Sequence, residues 1–149
     1  MLRRALEFGI EQRDVCLVGL RSWEEQELEL IEKGGMHVYT AASVAERGMP
    51  IVASEVRRIL AECDVVHISC DIDALDPSAA PGTGIPEYGG LSVREVITLL
   101  KSLQGLPLTG LDVVEVAPPL DPSEATVFAA LKIIMEFIAV VKRGRSSSF

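Results

Sequence analysis

Two aspartates, Asp71 and Asp73, close an apolar stretch and stand two positions apart. On an extended backbone, side chains two positions apart point to the same face of the strand. Two carboxylates held side by side repel each other unless a cation or a shared proton lies between them. Because hard divalent ions prefer carboxylate oxygens, this spacing predicts a metal site. The alternative is that both aspartates merely cap a turn.

A loop rich in proline and glycine follows the aspartate pair. Asp76-Pro77 ends the strand, because proline removes a backbone donor and disfavours a helical conformation in the residue before it. The segment 81–86, Pro-Gly-Thr-Gly-Ile-Pro, combines fixed φ angles at its prolines with free φ angles at its glycines. Such a loop can pass close to a ligand, and its position after the acid pair strengthens the prediction of a hard-metal site.

Apolar strands alternate with helices along the chain, and this order predicts how the acids are positioned. It implies a parallel α/β sheet with right-handed crossovers, in one domain. Such sheets bind ligands outside the carboxyl ends of their strands, where Asp71, Asp73 and Glu115 fall. We expect the strand before Asp71 to be central, with both aspartates on one face. The predicted strands are 15–20, 36–39, the stretch from 65 into the aspartate pair, and 108–116, and the predicted helices are 2–8, 23–33, 41–47, 50–63, 92–103 and 123–142.

The composition of the chain is acidic and apolar. Its 149 residues carry a formal net charge of −8, with a sequence pI near 4.8. This charge argues against binding to nucleic acid or to an anionic membrane, and it permits a cationic substrate or a metal ion. The hydrophobic share of 48% and the mean hydropathy of +0.30 are high for a freestanding soluble domain. They predict apolar surface that another chain covers.

The three cysteines, Cys16, Cys63 and Cys70, lie in or beside apolar runs, and their spacing matches no metal motif. An odd number of cysteines without such spacing predicts reduced, mostly buried thiols. The sequence shows no signal-peptide pattern, no internal repeat and no apolar run long enough to cross a bilayer. We therefore expect a cytoplasmic protein.

Three segments together resemble the second metal-binding signature of the ureohydrolases, the family of arginase, agmatinase and formimidoylglutamase. They are 69–77 (Ser-Cys-Asp-Ile-Asp-Ala-Leu-Asp-Pro), 80–84 (Ala-Pro-Gly-Thr-Gly) and 89–92 (Gly-Gly-Leu-Ser). The resemblance implies a three-layer αβα fold with a mainly parallel, arginase-like sheet, of which this chain carries the C-terminal half. We expect residues 1–143 to form that half-domain and residues 144–149 to be a frayed tail.

The resemblance also implies a dinuclear manganese centre. Asp71 stands where the family has the carboxylate that bridges two Mn²⁺ ions, and Asp73 where a carboxylate binds one ion of the pair. Both would act in catalysis, since the ions activate water for attack on a guanidinium carbon, with release of urea. The family's earlier signatures, which hold its histidine ligands and a second aspartate cluster, are not found in this sequence. The chain would therefore carry only part of the metal site.

Segment 110–119, Gly-Leu-Asp-Val-Val-Glu-Val-Ala-Pro-Pro, resembles the last signature strand of the family. Within it, Glu115 stands at the position of the substrate-binding glutamate, whose carboxylate can pair with a planar guanidinium through charge-assisted hydrogen bonds. The alternative for Glu115 is a solvated acid at the end of a strand. Thr83 is expected to contact the substrate through its loop, whereas Ile85 replaces a threonine often found there and removes a polar contact.

Five further residues have structural interpretations. Asp112 is expected to accept hydrogen bonds from loop backbone, and Asp121 and Thr126 to hold local structure. His67 lies inside a predicted strand, where a core or layer histidine with satisfied hydrogen bonds is a better interpretation than a metal ligand. Arg21 follows the first strand and fits the family pattern as a structural or interface residue.

The first functional interpretation is manganese-dependent hydrolysis of a guanidino compound, agmatine-like or arginine, to urea and an amine. Segments 86–92 and 114–119 favour the agmatinase-like branch. The chain would be inactive alone and would form a homo-oligomer or pair with a separate N-terminal half. The alternative is a non-catalytic interaction module that keeps the fold and binds a partner chain. A receiver-like phosphoacceptor domain built on Asp73 fits the α/β order but leaves the loop 81–86 unexplained.

Overall fold

Strands and helices alternate in the structure, as the sequence predicts. The computed structural model describes residues 2–146, and in this range every side chain except those of residues 2, 3, 26, 28, 30, 32 and 146. The strands are β1 (Cys16–Leu20), β2 (His37–Thr40), β3 (Val66–Asp71) and β4 (Leu108–Val114). The helices are α1 (Leu2–Glu7), α2 (Glu25–Gly34), α3 (Ala41–Arg47), α4 (Met49–Leu60), α5 (Val93–Ser102) and α6 (Ala125–Ser146). Short 3-10 turns lie at Gln12–Asp14, Ile72–Ala74 and Pro118–Leu120.

The four strands form two parallel pairs in the described part of the chain, β1 with β2 and β3 with β4. The parallel direction confirms the prediction, but the expectation of a central aspartate strand is wrong for residues 2–146, since β3 pairs there with β4 alone. No ladder joins the two strand pairs among the described residues. Strand β1 instead lies against the segment that follows β3. A Cβ atom at Gly19, in β1, would lie 2.9 Å from Leu91 Cδ1 and 3.6 Å from Ala74 Cβ.

Helices α3 to α6 form a layer against the strands. Helix α3 packs on β1 and β2, α6 packs on β4, and α4, α5 and α6 pack on one another in chain order. The core between these elements is apolar, with Val52, Ile72, Leu75 and Ile133 among its fully buried side chains. Complete burial of a side chain of this size contributes about 1.5–3 kcal/mol through the hydrophobic effect. This apolar layer holds the strand that ends in Asp71.

The two faces of β3 differ in polarity, as the period of two along a strand requires. Ile68 and Cys70 pack against the apolar core. His67 and Ser69 alternate with them and are exposed, and Asp71, next on the same face, is half-buried. The first acid of the predicted pair therefore lies on the polar face of β3.

Helices α2 and α5 each begin at a capping box, in which the N-cap residue and the residue three positions later bond to each other. Ser92 is the N-cap of α5 and forms a reciprocal capping box with Glu95. Ser22, two residues before the N-cap of α2, does not cap that helix, because Glu24 and Glu27 form the box. The hydroxyl of Ser22 is engaged elsewhere, since it donates to Glu87 Oε2 at 2.8 Å. Ser22 therefore makes a tertiary contact and does not cap α2.

The last helix is longer than predicted. Helix α6 begins at Ala125 and continues through Gly144 to Ser146, whereas the prediction ended it near Lys142. A glycine costs a helix only about 1 kcal/mol relative to alanine, so it does not by itself end one. Residues 147–149 of the predicted tail lie outside the described residues. Helix α4, by contrast, ends earlier than its predicted range.

Helix α6 exposes a row of apolar side chains. Phe128, Leu131, Met135 and Ile138 are between 48% and 66% exposed, and their spacing places them along one face of the helix. An exposed apolar row of this kind marks a surface that another element or chain covers. No helix among residues 2–146 is long and apolar enough to span a membrane.

Candidate active site

The aspartate pair lies where β3 turns, and not on a continuous strand. Asp71 is the last residue of β3 and the N-cap of the 3-10 turn Ile72–Ala74, which contains Asp73. The backbone N–H of Asp73 donates to Asp71 Oδ1 at 3.2 Å. The predicted extended spacing is therefore wrong, and a tight turn brings the two acids together by a different route.

The carboxylate of Asp71 is in an unfavourable electrostatic environment. Burial raises the pKa of Asp71 above its usual value, and the charges of Asp73 and Glu115 raise it further, against a lowering by the Asp73 N–H bond. Three carboxylates thus interact at the carboxyl ends of β3 and β4. A bound cation would relieve their repulsion.

Glu115 is presented by a turn in the backbone immediately after β4. The register pairs Asp71 with Val114, so Glu115 is the first residue beyond the ladder. Its φ is +60°, a left-handed conformation that is uncommon outside glycine. This turn explains why β4 ends before the predicted Val116, and it leaves the Glu115 side chain exposed. A Cβ atom at Gly84 would lie 4.0 Å from Glu115 Oε2, so the proline-glycine loop passes beside this carboxylate.

Hydrogen bonds tie the proline-glycine loop to the start of α6 and to the segment after β4. Gly82 N–H donates to Thr126 Oγ1 at 2.7 Å, and Ala117 N–H donates to the Gly82 carbonyl at 2.8 Å. A side chain at Gly82 would collide with Asp121, because its Cβ atom would lie 2.6 Å from that of Asp121. Thr83 is only 3% exposed, and its hydroxyl has no hydrogen-bond partner among the described residues. A buried polar atom without a partner is rare in folded proteins.

Asp121 and Thr126 make the contacts expected of structural residues. The buried Asp121 carboxylate accepts hydrogen bonds from the Ser123 hydroxyl and N–H and from Thr126 N–H, the last at 2.8 Å. These bonds, led by that of the Ser123 hydroxyl, lower the pKa of Asp121 to about 2. The same threonine binds the loop through its hydroxyl. The start of α6 and the loop beside Glu115 are thereby one hydrogen-bonded unit.

Asp112 and His67 depart from their predicted roles. His67 is not a core residue, since its side chain is 59% exposed. Its Nε2 atom lies 2.6 Å from Asp112 Oδ2, and the Ser69 hydroxyl donates to Asp112 Oδ1 at 2.7 Å. Asp112 therefore binds side chains of β3 and not loop backbone, and these bonds lower its pKa. Gly110 makes room for this arrangement, because a Cβ atom there would lie 2.9 Å from His67 Nδ1.

Two further residues hold the turn after β3, and sequence patterns did not identify their contacts. Arg21, just beyond β1, donates to the carbonyl oxygens of Asp73 and Ala74. Asp76 accepts hydrogen bonds from the N–H groups of Ser78, Gly89 and Gly90. The Ser78 side chain first, and then these N–H groups, lower the pKa of Asp76 to about 2. For Arg21, the sequence offered one indication of a contact with the acids. It is a long, positively charged side chain directly after an apolar strand, at the edge of the sheet where the acids lie.

Asp71 and Asp73 are the right type of ligand for manganese, but they are too few to form a metal site. Asp71 and Asp73 offer the hard oxygen donors that Mn²⁺ binds, in an environment that favours a cation. Residues 2–146 nevertheless contain no group of three or more His, Cys, Asp or Glu side chains arranged to hold a metal ion. The described residues therefore do not form a metal site by themselves.

Comparison with known proteins identifies the class to which this fold and site belong. A sequence model of the arginase family matches residues 1–140. The agmatinase of Chromobacterium violaceum is 34% identical over 146 residues, which make up 97% of this chain and 43% of that protein. The chain therefore belongs to the arginase family, as its resemblance to the ureohydrolases implied.

Solved structures agree with this assignment. A hypothetical agmatinase from Burkholderia thailandensis superposes with a TM-score of 0.86 at 34% identity, over 99% of this chain and 44% of that one. Proclavaminate amidino hydrolase from Streptomyces clavuligerus superposes with a TM-score of 0.88 at 33% identity, over 96% of this chain and 47% of that one. The chain has a partial arginase-like αβα fold. It spans less than half the length of the relatives it matches.

Removal of the Asp121 carboxylate should weaken the fold most at neutral pH. Its pKa falls from a usual value near 3.8 to about 2 on folding, so its stabilisation is complete above about pH 4 and is lost as the pH falls toward 2. Urea unfolding of the wild type and of Asp121→Asn between pH 7 and pH 2 measures this. The difference in free energy of unfolding should shrink below pH 4, and a difference independent of pH would contradict the role of the carboxylate.

Proposed function

We propose that this chain supplies part of the active site of an enzyme that hydrolyses a guanidino compound. The observation that carries the proposal is the convergence of Asp71, Asp73 and Glu115 at the carboxyl ends of two adjacent parallel strands. Membership of the arginase family supports it. Water would add across a carbon–nitrogen bond of the guanidinium, releasing urea and an amine. The agmatinases among the relatives favour an agmatine-like substrate over arginine.

Glu115 is the proposed contact for the guanidinium. Its carboxylate is exposed, and its left-handed backbone turns it out of β4 toward the loop at Gly84. Gly84 has no side chain, so a planar cation can lie against the loop and pair with the carboxylate. Thr83 is the second proposed substrate-binding residue, and it acts through the loop that contains it. The Thr83 hydroxyl is buried and has no hydrogen-bond partner among the described residues, which supports a role in binding a substrate.

Asp71 and Asp73 are the proposed catalytic metal ligands. Asp71 would bridge a pair of Mn²⁺ ions and Asp73 would bind one of them, as in the family pattern. Manganese would supply Lewis-acid activation of the water. The crowded carboxylates of this chain favour a cation. The remaining ligands would have to come from outside residues 2–146.

We further propose that the chain works in an assembly, either a homo-oligomer or a complex with a chain that supplies the N-terminal half. The exposed apolar row of α6 and the edges of the two strand pairs support this. A cytoplasmic location, with a small guanidino substrate and neither nucleic acid nor membrane as a partner, remains the expectation from composition. The same apolar row also favours the second candidate, a non-catalytic interaction module with this fold.

The chain alone should neither hydrolyse guanidines nor hold a stable manganese pair. The loss of outer contacts alone lowers metal affinity by about 10–100-fold, so an incomplete set of ligands should cost more. Calorimetric titration with MnCl₂ should show weak, non-stoichiometric binding, and a urea-release assay on agmatine and arginine should show no turnover. Two tight ions per chain would contradict the incomplete site.

The decisive arm of that experiment adds the part of the Chromobacterium violaceum agmatinase that this chain does not match. If the chain supplies its share of the active site, the mixture should release urea from agmatine in the presence of MnCl₂, while neither component does so alone. An interaction module predicts a complex without turnover, and that result would contradict the proposed activity.

Substitution of the two kinds of acid should separate their roles in this complemented assembly. Asp71→Asn should reduce turnover at saturating agmatine far more than Glu115→Gln, because the first acid holds the metal pair and the second positions the guanidinium. Glu115→Gln should mainly raise KM. Steady-state kinetics with excess MnCl₂ measure both parameters, and equal losses of kcat would refute the assigned roles.

The chain should associate with itself or with another chain at micromolar concentration. Burial of the apolar row of α6 is the expected driving force, since each buried methylene contributes about 0.8 kcal/mol. Light scattering should show a species larger than one chain. The double variant Leu131→Glu and Met135→Glu should shift it toward the monomer, and a monomeric wild type would count against the assembly.

A further inference from the structure

Arg21 is nearly buried between the two strand pairs. Its side chain is 11% exposed, and it extends from the end of β1 to the turn after β3. Its Nη1 atom donates to the Ala74 carbonyl at 2.9 Å, and its Nη2 atom donates to the carbonyl of Asp73. Nη2 also lies 3.9 Å from Asp73 Oδ1. One guanidinium thus contacts both the backbone and the carboxylate of the second acid.

The surroundings of Arg21 are shaped to admit it. A Cβ atom at Gly90 would lie 2.5 Å from the backbone N of Asp76 and 2.6 Å from Arg21 Nη1, so a side chain at this position would collide with both the turn and the guanidinium. Glu87, in the same loop, places Oε2 3.7 Å from Arg21 Nε and accepts a hydrogen bond from the Ser22 hydroxyl. The turn that holds Asp73 and the loop that ends at Gly90 are therefore fixed by one cation.

We propose that Arg21 is a positioning residue that sets the place of the Asp73 carboxylate relative to Asp71. The planar fork of arginine donates to two successive carbonyl oxygens at once, which the single ammonium of lysine cannot match. Its charge opposes the repulsion between the two acids, and it anchors their turn to β1, which shares no ladder with β3. The inference rests on the proposed function, in which these acids bind Mn²⁺.

Arg57 provides a matched control. It also donates to two backbone carbonyls, those of Ser102 and Gln104 at and just after the end of α5, although a single atom, Nη1, makes both bonds, and it is partly buried. Arg21→Met and Arg57→Met each remove one such pair of hydrogen bonds, so both should lower thermal stability. Only the first should disturb the acids. Arg21→Lys keeps the positive charge but removes the planar guanidinium, so it separates the effect of charge from that of hydrogen-bond geometry.

The experiment measures two quantities by NMR on the full chain. The first is amide hydrogen exchange at Leu75 and Asp76, whose N–H groups donate to Ile72 and Leu91. The second is the MnCl₂ concentration that half-broadens the signals of Asp71 and Asp73, a readout suited to weak binding. Arg21→Met should accelerate exchange and raise this concentration about tenfold or more, the usual effect of losing an outer partner of a metal ligand. Arg57→Met should leave both unchanged, and Arg21→Lys should lie between.

The outcomes separate the two proposals. Accelerated exchange in Arg21→Met with an unchanged MnCl₂ midpoint would make Arg21 a structural residue and overturn the inference, while the proposed metal site would stand. If MnCl₂ broadens neither Asp71 nor Asp73 in the wild-type chain, the positioning role is overturned, while the proposed metal site is judged by the activity of the complemented assembly. A raised midpoint in both methionine variants would show a general loss of stability and would also overturn the inference.

Discussion

The partial burial of Asp71 beside the charges of Asp73 and Glu115 is the constraint on which the candidate site depends. Like charges repel more strongly where burial lowers the effective dielectric constant. A typical domain is stable by only about 5–15 kcal/mol, so such a cluster persists only where other contacts fix its backbone. The β3–β4 ladder fixes Asp71 and Val114, the residue before Glu115, and Arg21 fixes the turn that contains Asp73.

Local features of this fold were predictable because a few neighbouring residues determine them. The capping box at Ser92 and the bounds of α3 follow from side chains within one helical turn. The turn at Asp73 and the end of β4 at Glu115 were missed, because each is imposed by contacts from distant segments. Ser22 illustrates the same limit, since its hydroxyl donates to Glu87, which lies 65 positions away along the chain.

The candidate site was predictable in composition but not in geometry. Their spacing identified Asp71 and Asp73, the family resemblance of segment 110–119 identified Glu115, and the structure places the charges of the other two acids near Asp71. Their conformations differ from the extended strand that the spacing implied. The polar face of β3 shows why. The roles of His67 and Asp112 were predicted from their separate positions along the sequence. Their contact depends on the parallel register of β3 and β4, which places Gly110, without a side chain, opposite His67.

The left-handed backbone of Glu115 has a cost of order 1–3 kcal/mol, so its surroundings must determine it. Ala117, two residues later, donates to Gly82, which in turn donates to Thr126 at the start of α6. The backbone that presents Glu115 and the loop that faces it are therefore held by the same hydrogen bonds. All of these contacts lie within this chain. The hydrogen bonds that fix the proposed guanidinium contact therefore join three segments of this chain: the residues after β4, the proline-glycine loop and the start of α6.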